Sequence, residues 1–141
     1  MRSTLLSLLS VLIIMSSCSS NKEQSTSEST SSTSLDLLVG TYTGDGSDGI
    51  YQLQLDPITG ELSDRVLLAT SSNPSFLAIG DSSKYIFSVS EDEEGSISSW
   101  KWNEQGKLDL INSVSTYGKH PCFIDANSGL VAVANYSSGN G

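Results

Sequence analysis

The chain predicts an all-β fold, a partial β-propeller built from four-stranded antiparallel meanders, and three observations carry that reading. Asn73-Pro74-Ser75-Phe76-Leu77-Ala78-Ile79 returns as His120-Pro121-Cys122-Phe123-Ile124-Asp125, with the two prolines 47 residues apart. The copy extends further: Lys84–Glu91 is answered by Gly129–Asn135, and Gly49–Leu62 by Gly95–Leu108 with one residue inserted. Self-similarity at this period is the signature of an array of small sheets, and a unit of four short strands is one blade of a propeller. From Leu35 onward no run has helical spacing, while short apolar runs alternate with turn clusters about every ten residues, the pattern of an all-β chain.

Residues 1–17 stand outside that array. Arg2 supplies one positive charge, Leu5–Met15 is an apolar run interrupted by Ser7 and Ser10, and Ser16-Ser17 precede Cys18. This is the composition of a secretory signal peptide with small residues at the cleavage point. As a helix the run would reach only about 16 Å, against about 30 Å of hydrocarbon, so it is too short to span a membrane. Met15-Ser16-Ser17-Cys18 resembles a bacterial lipobox, with Met15 where Leu is usual, and predicts lipidation of Cys18. The alternative is a plain cleaved signal in which Cys18 is incidental. Ser19 stands where an Asp would favour inner-membrane retention, so the expectation is an exported protein anchored in the bacterial envelope, at the outer membrane or facing the periplasm.

Residues 18–34 are expected to be a tether. Eleven of the sixteen residues from Ser19 to Ser34 are Ser or Thr, and none is large and apolar, so the segment cannot bury a core. As a flexible coil it would reach about 22 Å.

Residues 35–141 form the predicted array, with strands at 37–42, 50–55, 63–69, 75–79, 85–90, 96–102, 108–115, 121–125 and 130–135. Strand two alternates Tyr51, Leu53 and Leu55 with glutamines, and strand six sets Trp100 and Trp102 opposite Ile97, Ser99 and Lys101, so each presents two faces. Asp56-Pro57-Ile58-Thr59-Gly60, Gly80-Asp81-Ser82-Ser83 and Asn103-Glu104-Gln105-Gly106 are turn sequences carrying Gly where φ > 0 is needed. With the strands of a blade named A to D from the hub outward, the first blade shows B, C and D. The second is complete, and the third shows A and B. An apolar strand with nothing beyond to pair with is an aggregation hazard, which leads to the expectation that the sequence is the opening portion of a longer propeller and that 35–141 alone is unstable.

Composition narrows the partners. Asp and Glu number 16 against 7 Lys and Arg, a net charge of −9 that becomes more acidic once Arg2 is removed, and such a domain repels phosphate backbones. Nucleic acid is therefore not an expected partner. After Cys18 the chain holds Cys122 alone, which cannot form an internal disulfide and is expected to be a buried, inert thiol in an apolar strand. Asp45–Gly49 reads as a hairpin turn rather than a calcium loop, since it lacks a later bidentate Glu. Glu91-Asp92-Glu93-Glu94 reads as a solvated loop at a strand end, and Trp100 and Trp102 as blade packing rather than a sugar platform.

Four segments in order, Val39-Gly40-Thr41-Tyr42-Thr43, Gly49-Ile50-Tyr51 leading to Asp56–Leu62, Asn73–Ala78, and Ala134-Asn135-Tyr136-Ser137-Ser138-Gly139, resemble the lactonase family of seven-bladed propellers. That family includes bacterial 6-phosphogluconolactonases and fungal carboxymuconate-lactonizing enzymes. The resemblance covers essentially 37–141 and implies about seven blades, of which this sequence would hold about two and a quarter. It further implies a carboxylic ester hydrolase acting on a sugar lactone when complete, a monomer, with no cofactor and no metal. The family's proposed catalytic His and Arg lie in later blades, so none is carried onto this sequence.

Meander geometry places Thr41, Tyr42, Asn73, Glu91, His120, Asn135 and Tyr136 around one mouth of the central channel. Opening a lactone needs a group that activates water and a donor for the developing oxyanion. Glu91 and His120 are the candidates for the base, Asn135 and Tyr136 for the donor, and Thr41, Tyr42, Asn73, Asn135 and Tyr136 for substrate contacts. Each has a turn-forming reading as well. Asn73 and His120 precede prolines, which favours extended or turn backbone, and Asn135-Tyr136 opens a Gly-rich turn. His120 has no second histidine to make a metal site with. Cations for an anionic substrate are scarce, since Arg65 falls on an expected outer strand and Lys119 is the one basic neighbour of the mouth. Fold alone does not separate an enzyme from a propeller that binds a small ligand or a protein partner without catalysis.

Overall fold

A computed structural model describes residues 34–44 and 46–141; the signal, most of the tether and Cys18 lie outside the described residues. Nine strands are present: β1 (Leu35–Val39), β2 (Gly49–Leu55), β3 (Val66–Thr70), β4 (Leu77–Ile79), β5 (Tyr85–Ser90), β6 (Ser96–Trp102), β7 (Leu108–Ser115), β8 (Pro121–Asn127) and β9 (Leu130–Asn135). Among the described residues there is no helix. The strands form three antiparallel meanders, β1-β2-β3, β4-β5-β6-β7 and β8-β9, the blade composition the repeat predicts.

Four expected strands, 85–90, 96–102, 108–115 and 130–135, appear with the same bounds. The first shifts, from 37–42 to Leu35–Val39, because the chain leaves the sheet at Gly40. A Cβ there would collide with the Pro74 carbonyl oxygen, so glycine at 40 is what lets the loop after β1 lie against the segment entering β4. A second glycine, just before β6, also lies against a repeat proline: a Cβ on Gly95 would stand 2.6 Å from Pro121 Cδ. Both prolines are fully buried.

The expected turns use one mechanism twice. Asp56 Oδ1 accepts the N–H of Ile58 at 2.8 Å, and Asn103 Oδ1 accepts those of Gln105 at 3.0 Å and Lys107 at 2.9 Å. Each carboxylate or amide oxygen holds the backbone in a turn that a following glycine closes, Gly60 at φ 76° and Gly106 at φ 69°.

Burial lies between the sheets. Ile50, Leu68 and Ala69 of the first sheet meet Ile86, Trp100 and Leu108 of the second, with Leu38, Leu77 and Trp102 packed around them. Ala78 and Val89 of the second sheet meet Ile124 of the third, joined by Phe87, Ile97, Ala126 and Val133. The middle strands of the second sheet are thus covered on both faces: in β5, Ile86 turns to one neighbour and Val89 to the other. A bulge between Ser99 and Trp100 sets the indole inward, where its N–H donates to the buried Ser88 hydroxyl at 2.9 Å. Trp100 therefore serves blade packing, and removing such a side chain costs about 3–5 kcal/mol. Outermost β7 buries Leu108 alone and exposes its other residues, many of them polar, as suits an edge strand.

Candidate functional site

The register fixes where the site lies. Val39 at the end of β1 pairs with Tyr51 near the start of β2, and Ser90 at the end of β5 pairs with Ser96, so the strand ends leading into Tyr42, Glu91 and Tyr136 share one end of the sheets with the segments entering β4 and β8. Repeat-related backbone bonds tie that end together. The N–H of Glu91 donates to Asn73 O at 3.0 Å, and the N–H of Tyr136 donates to His120 O at 3.0 Å.

Asn73 and His120 depart from the extended backbone expected of residues before proline, with φ of 38° and 52°. Asn and His tolerate this left-handed region better than most residues, and the cost is of order 1–3 kcal/mol each. Hydrogen bonds hold them there. Asn73 Oδ1 accepts the Thr43 N–H at 2.8 Å, its Nδ2 donates to Asp92 Oδ1 at 2.6 Å, and its own N–H donates to Thr43 Oγ1 at 3.2 Å. One side chain so bridges the first blade to the second. The His120 N–H reaches Asp92 O at 2.9 Å, linking the second blade to the third.

Glu91 is the focus of a second bridge. Its Oε2 accepts the Tyr42 hydroxyl at 2.8 Å and the Ser75 hydroxyl at 2.5 Å, so donors from two blades converge on one oxygen. The carboxylate holds the Tyr42 phenol above the usual value of 10.0, chiefly through that hydrogen bond. His120 is engaged at both ring nitrogens, with Nδ1 2.8 Å from Ser137 Oγ and Nε2 3.7 Å from Glu93 Oε1. Lys119 Nζ lies 2.7 Å from Glu93 Oε2; the pair raises the lysine above 10.5 and lowers the glutamate below 4.5.

The structure therefore brings together Tyr42, Asn73, Glu91 and His120, with Tyr136 adjoining through its backbone and its ring 79% exposed. Thr41 is not part of this group: its hydroxyl donates to Gly49 O at 2.7 Å and accepts from Ser47 Oγ at 2.6 Å, within its own loop. Asn135 also points elsewhere. It is 3% exposed, and its Nδ2 donates to Asn140 Oδ1 at 3.2 Å and more weakly to Thr116 O at 3.4 Å, while its Oδ1 is buried with no partner among the described residues. The position holds a loop in place rather than facing solvent. Arg65 is committed to Gly46 O at 2.8 Å and stacks 5.2 Å from the Tyr51 ring centroid.

Cys122 corrects the expectation of a buried thiol. It is exposed, with Sγ 4.0 Å from Ala134 O. Ser75, Asp92 and Ser137 were not singled out from sequence as site residues. Ser75 was legible in principle: it holds the same place after a repeat proline that Cys122 holds one blade later. Gly44 and Ser47 exchange backbone hydrogen bonds, which is the hairpin turn expected there. No group of three or more His, Cys, Asp or Glu among the described residues is gathered to hold a metal. A cavity of about 270 Å³ opens at the opposite end, between Gly80–Tyr85 and Ala126–Val131, without a comparable convergence of polar groups.

Comparison with known proteins agrees with this architecture. The profile of the family described as "Lactonase, 7-bladed beta-propeller" matches residues 36–140. The chain is 33% identical over 105 residues to the 6-phosphogluconolactonase of Bacillus subtilis (strain 168), covering 72% of this chain and 30% of that one. Its fold superposes on the Pseudomonas aeruginosa periplasmic gluconolactonase with a TM-score of 0.66 at 31% identity, covering 72% of this chain and 31% of that one. A Lactobacillus plantarum protein gives a TM-score of 0.64 at 36% identity, covering 73% of this chain and 30% of that one. The chain thus spans about a third of the length of these relatives. On the profile match over residues 36–140, the chain belongs to the lactonase family of seven-bladed β-propellers.

Proposed function

We propose that the protein is a lactone hydrolase that opens a sugar lactone at the mouth where Tyr42, Asn73, Glu91 and His120 converge. The observation that carries this is the convergence itself: three successive blades deliver hydroxyls, an amide, a carboxylate and an imidazole to one end of the sheets, tied across blades by Tyr42 on Glu91, Asn73 on Thr43 and the His120 N–H on Asp92 O. Such a preorganised set can activate water and orient a polyol, which is what ester opening requires. Relatives named 6-phosphogluconolactonase and gluconolactonase support the reaction class.

The charge of the rim favours an uncharged lactone over a phosphorylated one. Glu91, Asp92, Glu93 and Glu94 border the mouth, and the Lys119 ammonium is taken up by Glu93 at 2.7 Å. Like charge at a cleft lowers the local concentration of an anionic substrate. The test is the initial rate of hydrolysis of D-glucono-1,5-lactone and of its 6-phosphate by the full-length protein. Turnover above the spontaneous rate, faster for the uncharged lactone, is expected. Failure to accelerate either one, with binding of the lactone intact, would favour a propeller that binds without catalysis.

Export and a lipid anchor at Cys18 complete the proposal, supported by the apolar run Leu5–Met15 and the small residues before the cysteine. Cys18→Ser should move the protein from the membrane fraction to the soluble one. An unchanged distribution would remove the anchor from the account.

A further inference from the structure

Two hydroxyls from different blades end on the same atom, Glu91 Oε2, while Glu91 Oε1 has no hydrogen bond to any described residue. A carboxylate has lone pairs on both oxygens, so this arrangement divides its labour: one oxygen is a fixed point and the other is available. The donors also set the direction of the carboxylate plane, since Tyr42 enters from the first blade and Ser75 from the start of the second. His120 offers no comparable freedom, because Nδ1 is engaged by Ser137 and Nε2 faces Glu93.

We propose that Glu91 is the general base of the lactone-opening reaction, acting through Oε1, and that Tyr42 and Ser75 are positioning residues that fix it through Oε2. The assignment rests on the reading of this mouth as a lactonase site. Water attacks the lactone carbonyl carbon as Glu91 Oε1 takes one of its protons, giving a tetrahedral intermediate with an oxyanion. Collapse of that intermediate reforms the carbonyl and breaks the bond to the ring oxygen, which leaves with the proton returned from Glu91. The sum is addition of one water across the acyl–oxygen bond, with no oxidant, reductant or co-reactant needed.

Kinetics of the full-length protein on D-glucono-1,5-lactone test this. Glu91→Gln should lower kcat at least about a hundredfold, the usual worth of a general base. Tyr42→Phe and Ser75→Ala should each lower kcat several-fold with KM nearly unchanged, and Ser75→Thr, which keeps a hydroxyl, should restore most of the loss. The decisive arm is non-additivity: in the Glu91→Gln background, Tyr42→Phe and Ser75→Ala should have no further effect, because residues that act through one group act as a unit. Merely structural residues would go on lowering kcat there. Near-wild-type turnover by a folded Glu91→Gln variant, or additive losses in the doubles, overturns the assignment and leaves the lactonase reading standing. Absence of turnover in the wild-type protein takes down that reading, and the base with it.

Discussion

At the residue scale the mouth is defined by which atoms already have partners. Tyr42 is solvent-exposed, yet its phenol is held above 10.0 because its proton is the one shared with Glu91, and ionising it would set an anion beside a carboxylate. A raised folded-state value means that the bond's contribution to stability is present below pH 10.0 and is lost as pH rises through the raised value. Subtracting the ultraviolet titration of Tyr42→Phe from that of the wild type should isolate a phenol titrating above 10.0. A difference curve centred at or below the ordinary tyrosine value would remove the Tyr42–Glu91 bond from the account. Sequence reasoning could name Tyr42 and Glu91 as neighbours because strand ends of successive blades must meet. It could not see that Ser75 is the second donor, since nothing but the repeat marks a serine after a proline as special.

At the element scale, strands are legible where alternation and glycine turns agree, and illegible where a strand-forming run is stopped by a neighbouring blade. β5, β6, β7 and β9 have the first property. The run after Val39 has the second: Gly40-Thr41-Tyr42 reads as a continuation of β1 until the Pro74 carbonyl occupies the space a side chain would need. Thr41 was placed at the mouth for the same reason, and folds back on Gly49 instead. Gly40→Ala should therefore destabilise the protein by about 3 kcal/mol or more, since the collision is with backbone and cannot be relieved by a side-chain rotation. Chemical denaturation measures it. A cost within about 0.5 kcal/mol would mean that the first two blades do not approach each other as closely as described.

At the scale of the whole molecule, the period of the sequence sets the sheet count and order, and burial follows from it: apolar faces of neighbouring sheets cover each other in two layers. Cys122 sits in an apolar run, which in sequence reads as buried, and is exposed in the structure. Charge patterning was legible too, and the proposed preference for an uncharged lactone rests on that acidic rim. Sequence places Glu91 and His120 at the mouth as alternative candidates for the base; what it does not show is the pair of hydroxyls ending on Glu91 Oε2, on which the proposal chooses between them. The measurement that bears most directly on the central claim is the initial rate of D-glucono-1,5-lactone opening by the full-length protein against the spontaneous rate. The account predicts acceleration by the wild type that is lost on substituting Glu91 by Gln. A rate indistinguishable from spontaneous opening would contradict it.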